Sequence, residues 1–141
     1  MTSSPAENPE YACAVLTAGR GRILLHLRPA GAAHAASHLT CFGGRREPGE
    51  AARTCLAREL GEELGWIPTL VGDVACDLYR GPRWIARFFY VELTVPLADL
   101  RPAPGHRPLA IPWAALPGLP VSPWHQQALA AVQCGITAIE V

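Results

Sequence analysis

Two short apolar stretches, Tyr11 to Thr17 and Arg22 to Leu27, flank the turn Ala18-Gly19-Arg20-Gly21, a pattern that predicts a β-hairpin. Pro29 to His38 is an alanine-rich connection with Gly31 and two histidines, and it is assigned no regular element. Leu39 to Phe42 predicts a brief strand stopped by Gly43-Gly44. After a Pro48-Gly49 turn, the pattern predicts a helix from Glu50 to Leu64, with Gly65 in the usual position just past a helix end. Strands are predicted at Leu70 to Tyr79 and Arg83 to Leu93, the second rich in aromatic and β-branched residues. Pro96 to Pro108 reads as a proline-rich loop, and Leu109 to Trp113 as a short extended piece. Pro123 sits where a first-turn proline would, opening a final helix through Val132. Strands around one central helix, with a second helix at the end, predict a mixed α/β domain over residues 11–141. Residues 1–10 are expected to be a disordered, polar tail.

At 141 residues the chain is the size of one domain and long enough to bury a core without staples. Half the residues are hydrophobic and 17% are charged, so a folded globular protein is expected. The formal net charge is +0, which argues against coating DNA or RNA but leaves open a single nucleotide in a pocket. Every basic residue is Arg, a type suited to bidentate phosphate contacts. The five cysteines are odd in number, widely spaced and lack a C-x-x-C pair, so neither a zinc site nor a disulfide framework is indicated. The N-terminal stretch has no apolar run, so neither a signal peptide nor a transit sequence is expected. No stretch approaches the roughly 20 apolar residues of a membrane span, and the cytoplasm is the expected compartment.

The segment Gly43 to Trp66 reads GGRREPGEAARTCLARELGEELGW. At about 100° per residue, Ala52, Cys55, Leu56, Glu59 and Glu63 fall within one arc of its helix. Two carboxylates therefore share a stripe with small apolar residues, one turn apart, and repel each other. Glu62 adjoins them, and Glu62 and Glu63 sit in the last turn, where the helix dipole disfavours anions by about 0.3–1 kcal/mol each. Something cationic must offset this. One reading is a solvated acidic face paired with Arg53 and Arg58. The other is a hard divalent cation, which prefers oxygen-rich clusters. The preceding glycines permit the close backbone approach that a metal-side loop requires.

This segment resembles the Nudix box, G-x5-E-x7-R-E-U-x-E-E-x-G-U, with U a bulky aliphatic residue. Gly44, Glu50, Arg58-Glu59-Leu60, Glu62-Glu63 and Gly65 meet the fixed positions, and only Trp66 departs, a substitution expected to be structural. The resemblance implies the Nudix fold, a mixed β-sheet sandwiched between α-helices. It also implies a hydrolase acting on a nucleoside diphosphate linked to another group, a small-molecule nucleotide substrate. Glu59, Glu62 and Glu63 would ligate Mg²⁺ or Mn²⁺ beside Gly44, with Glu59 or Glu63 accepting a proton from water. Glu50 would support the site, as an outer ligand or through Arg58, and Arg58 would orient the glutamates. Arg28, Phe42 and Gly43 are the residues expected against the substrate.

Family members often have Pro before the double glycine, where this chain has Phe42, and many supply a further Glu from a later loop. The candidates for that role here are Glu92, Asp99 and His106. A coenzyme A-type pattern fails upstream of the box, where Ala33 and Ser37 stand in place of its Arg and Gly. Pro82 lies near a proline found in ADP-ribose-directed members, but it also suits a hairpin turn after Gly81. Tyr79 is out of place for dinucleoside polyphosphate members. The short chain is similar to MutT-type nucleoside triphosphate pyrophosphohydrolases, and a nucleoside triphosphate is the first expectation. The alternatives are an ADP-ribose or nucleotide-sugar pyrophosphatase, or a non-catalytic nucleotide-sensing domain. An isomerase sharing the architecture is disfavoured because no Cys is placed as a catalytic acid. Phe42, Tyr79, Trp84 and Trp124 are candidates to stack on a base, and His34 and His38 to touch substrate. A homodimer is left open.

Overall fold

The computed structural model describes residues 8–141. The expected tail therefore lies, over residues 1–7, outside the described residues. Its last residues are tied to the sheet: Arg46 Nε donates to the Pro9 carbonyl, Glu10 N–H to Trp84, and Arg83 pairs with the Glu10 carboxylate at 2.9 Å.

The strands are β1 (Tyr11–Thr17), β2 (Arg22–Leu27), β3 (Leu39–Thr40), β4 (Gly43–Arg45), β5 (Val74–Arg80), β6 (Arg83–Glu92), β7 (Pro108–Pro112) and β8 (Ala138–Glu140). They form one mixed sheet in the order β3-β2-β1-β6-β5-β8, with β4 also on β1 and β7 on β2. Along one side β1 runs parallel to β6 over its whole length. Its other side is shared: Tyr11 to Cys13 pair with β4, and Thr17 pairs with Ile23 of β2. Helices α1 (Ala52–Leu64) and α2 (Pro123–Gln133) cover opposite faces. Among the described residues no helix is long and apolar enough to cross a membrane.

Because both faces are covered, the inner strands are buried throughout, and alternation divides one hydrophobic run between two cores. Ala12, Ala14, Leu16 and Leu24 point to Cys55, Leu56, Leu60 and Leu64 of α1. Cys13, Val15, Ile23 and Leu25 point to the core that holds Ala128 and Leu129 of α2. The alanines of β1 keep that strand's surface low where α1 lies across it. Each buried Leu contributes about 1.5–3 kcal/mol. Four of the five cysteines are buried and free, and Cys134 is free and exposed. Trp66 is half-buried against the α1-side core, a packing position.

Several boundaries differ from expectation. Gly43-Gly44 do not stop a strand; they form one, opposite Cys13 and Ala12 of β1. Helix α1 begins two residues later than predicted, at Ala52, and Gly65 caps it in the left-handed region (φ 64°) with its N–H on Gly61. Strand β5 starts at Val74 rather than Leu70, because the intervening segment leaves Ile67 and Leu70 largely exposed. Strand β8, which no apolar alternation announces, adds in parallel to β5.

Gly43 adopts φ 143°, and a Cβ there would collide with the Ala12 carbonyl and the Cys13 backbone of β1. Gly43→Ala is expected to destabilise the fold by about 2–4 kcal/mol. Urea unfolding measures this as a lower midpoint at unchanged slope; a wild-type midpoint would show that the strand can shift to accept a side chain.

Candidate active site

The box places its carboxylates where α1 passes over β4. Glu63 Oε1 accepts the Gly43 N–H at 3.0 Å, and a Cβ on Gly44 would collide with the carboxylate of Glu59. The glycine strand thus lets two carboxylates, 18% and 15% exposed, lie against bare backbone. Glu62, one position before Glu63, turns outward and is 59% exposed. The Gly44 carbonyl meets the Cys55 thiol at 3.6 Å.

Arg58 is the cationic centre of the cluster. Its Nε and Nη2 donate to the two Glu50 oxygens at 2.8 and 2.9 Å, a bidentate pair, and its Nη1 donates to Glu59 at 3.0 Å and Glu62 at 3.3 Å. Glu50, buried but for 11% of its side chain, is held down at about pKa 2 by this pair and by the Glu47 N–H. Glu63 lies beyond the reach of Arg58. Burial raises its pKa to about 8, reinforced by the nearby Glu59 and Glu62 and opposed by the Gly43 N–H and by Arg28. Burial also raises Glu59, against the pull of Arg58.

Among the described residues, no three His, Cys, Asp or Glu side chains already converge in a metal-holding geometry, since Glu59 and Glu62 are drawn to Arg58. The donor set still fits a hard cation. It is all oxygen, and Glu63 is a buried carboxylate with no Arg paired to it among the described residues. Rotation of Glu59 and Glu62 away from Arg58 would bring them towards Glu63.

Of the three residues weighed as a contribution from a later loop, the fold brings one to the box. His106 Nε2 lies 3.5 Å from Glu63 Oε2. Glu92 ends β6 and Asp99 sits in a short 3₁₀ turn; both are exposed, and neither pairs with the box. Behind His106 stands His26, a residue no sequence pattern singled out, with ring centroids 4.8 Å apart. His26 Nε2 and His106 Nδ1 are buried without partners among the described residues. Burial first, then His106 and Arg28, push His26 down to about pKa 4.

A cavity of about 360 Å³ opens from Gly43 and Gly44 on the α2 side of the sheet, bounded by Tyr11, Arg28, Cys41, Phe88, Trp124 and His125. Arg28 donates through Nε to the His34 carbonyl at 2.8 Å, leaving its Nη groups without a protein acceptor among the described residues. Gly43 and Arg28, expected against the substrate, both line this cavity. Phe42 is not: it is 1% exposed within the α1-side core, its ring 5.5 Å from His26, because alternation turns it away from the cavity. Trp124 and His34 line the cavity, whereas His38 turns its Nδ1 to the Ala36 carbonyl. Tyr79 and Trp84 do not line it; they stack on each other at 6.0 Å, with Trp84 also donating to Asp77.

The sequence profile of the NUDIX domain matches residues 7–131. The chain belongs to that family, and it carries the box of a Nudix hydrolase. Among solved structures it is similar to the MutT protein of Methanosarcina mazei Go1, at 19% identity over 91% of this chain and 96% of that one, with a TM-score of 0.71. It is also similar to RenU, a Nudix hydrolase of M. smegmatis, at 20% identity over 94% and 89%, with a TM-score of 0.70. The NUDIX domain of Shewanella oneidensis NrtR, solved in complex with ADP ribose, matches at 14% identity over 89% and 86%, with a TM-score of 0.69. These likenesses show the Nudix fold. No curated protein matches the chain.

The elevated pKa of Glu63 predicts a proton-linked site. At neutral pH the metal-free protein holds a proton there, and ligation requires the carboxylate. Mg²⁺ or Mn²⁺ affinity should therefore rise with pH up to about 8, with proton release below it. The native state binds more protons than the unfolded chain between the ordinary 4.5 and about 8, so metal-free stability should fall as pH rises through that window. Titration calorimetry in buffers of different ionisation enthalpy checks the first point; buffer-independent heats at pH 6.5 would contradict it.

Proposed function

We propose that this protein is a Mg²⁺- or Mn²⁺-dependent pyrophosphohydrolase that cleaves nucleoside diphosphate derivatives, with a nucleoside triphosphate as first substrate. The observation that carries the reading is the juxtaposition of Glu59 and Glu63 on the bare backbone of Gly43 and Gly44, two glycines that also line a cavity of nucleotide size. Glu59, Glu62 and Glu63 would hold the cation, with Gly44 beside it. Once bound, the cation would neutralise diphosphate charge and acidify water. Arg28 supplies a fork of donors to phosphate oxygens. Arg58, anchored on Glu50, orients Glu59 and Glu62. A carboxylate of the box takes the proton as water oxygen attacks phosphorus. The P–O bond of the anhydride breaks, and a triphosphate leaves as nucleoside monophosphate and pyrophosphate. His106 Nε2 stands 3.5 Å from the free oxygen of Glu63, close enough to bond it after a small rotation. Positioning and electrostatics supply most of the acceleration.

The test is a panel of nucleoside triphosphates, ADP-ribose and nucleotide sugars, assayed with Mg²⁺, Mn²⁺ or chelator. Turnover is expected only with metal. Glu63→Gln should lower kcat by about 10²–10⁴-fold with an unchanged circular dichroism spectrum. Glu92→Gln, remote from the box, should behave as wild type. Nucleotide binding without any turnover would replace this reading with that of a sensing domain, and turnover of ADP-ribose alone with that of an ADP-ribose pyrophosphatase.

A further inference from the structure

We infer that His125 reads the base of the substrate as a hydrogen-bond donor, selecting bases that carry an oxo group where their counterparts carry an amino group. The inference rests on the reading above that a nucleotide occupies the cavity, and it concerns the end of that cavity away from the carboxylates.

His125 stands in the first turn of α2, the turn that Pro123 opens, and its ring lines the cavity. Its Nδ1 accepts the backbone N–H of Cys41 at 3.1 Å. A backbone N–H can only donate, so this bond fixes Nδ1 as the unprotonated nitrogen. The ring is packed edge-on against Phe88, centroids 5.8 Å apart, in a wall that includes Leu78 and Ile85. Burial, aided by Arg28, pushes it down to about pKa 4, so it stays neutral at physiological pH. A neutral imidazole carries one N–H. With Nδ1 accepting, that proton is on Nε2, for which no protein partner exists among the described residues. The cavity therefore offers one oriented donor whose polarity cannot reverse without breaking the Cys41 bond.

The rest of the lining sharpens this. It includes no Asp, Glu, Asn or Gln side chain, so no dedicated acceptor awaits an exocyclic amino group. Thr40, Ser122 and Tyr11 bring hydroxyls, which donate or accept and so do not discriminate. An oxo oxygen facing Nε2–H completes a hydrogen bond in an apolar wall. An amino group in the same place sets N–H against N–H and leaves both unpaired, which is the costlier error. The half-buried Trp124 and Tyr11 flank the same space and suit a planar ring.

The experiment is titration calorimetry of the full-length protein with matched nucleoside monophosphates: inosine against adenosine, and uridine against cytidine. Each pair exchanges oxo for amino at one ring carbon and, with it, N–H for a bare nitrogen at the adjacent ring position. The oxo member should bind about tenfold more tightly in each pair. His125→Phe, which keeps a ring but removes both nitrogens, should bring the ratio close to one. That variant also strips Cys41 of its acceptor, so the tautomer is read independently in the wild type by long-range ¹H–¹⁵N correlation. A protonated Nε2 with Nδ1 accepting is expected, and the opposite tautomer overturns the inference. Equal affinities within the pairs, a preference for the amino member, or failure of all four to bind would also overturn it. Binding needs no cleavage, so a protein that shows these ratios yet hydrolyses nothing would count against the hydrolase reading alone.

Discussion

Between β1 and the last two turns of α1 there is room for a backbone and almost nothing else. Gly43 and Gly44 fill that gap as a strand, and any side chain at Gly44 would occupy the volume taken by the Glu59 carboxylate. The alanines of β1 lower the sheet, the leucines of α1 press onto it, and the glycine strand is caught between. The hydrophobic packing thus sets the distance between the carboxylates and the backbone of the glycine strand. A site built on rigid elements in this way holds its geometry better than one built on a loop.

That packing creates an electrostatic problem which the chain solves only in part. Arg58 serves Glu50, Glu59 and Glu62 at once and is braced by the bidentate pair with Glu50. It does not reach Glu63, whose pKa burial pushes up to about 8. The remaining deficit of positive charge is concentrated on the carboxylate deepest in the site. Of these pairs only the one to Glu62, 59% exposed, is of the surface kind that contributes little to stability.

The box was legible in the sequence because its chemistry lies on one helix, where spacing alone fixes which residues share a face. The mixed α/β class was legible in the order of apolar strands and helices, whereas the sheet sandwiched between helices was implied only by the resemblance of the box. What escaped depended on contacts distant in the chain. Gly43-Gly44 read as a strand stop because glycine has poor strand propensity, and their pairing with β1 is tertiary. Phe42 looked like a substrate contact because it precedes the glycines; in a segment this short no alternation reveals the face it takes. His106 was the last named of three candidates until the proline-rich loop was folded back onto Glu63. His125 carried only one local cue, its place just after a helix-opening proline, and its bond to Cys41 spans 84 residues. Tyr79 and Trp84 were misleading for the opposite reason, since two exposed-looking aromatics had already found each other.

The sheet also acts as a partition. Carboxylates and Arg58 belong to the α1 face, while the cavity wall of Phe88, Leu78 and His125 belongs to the α2 face, with Gly43 and Gly44 bordering both and Arg28 of the cavity acting on Glu63. Substitutions within one core therefore leave the other's side chains untouched. Under mutation, such a molecule inherits its chemistry and its choice of substrate as nearly separate traits. A lineage of these proteins can therefore reshape the cavity by repacking one layer while the opposite layer stays constant.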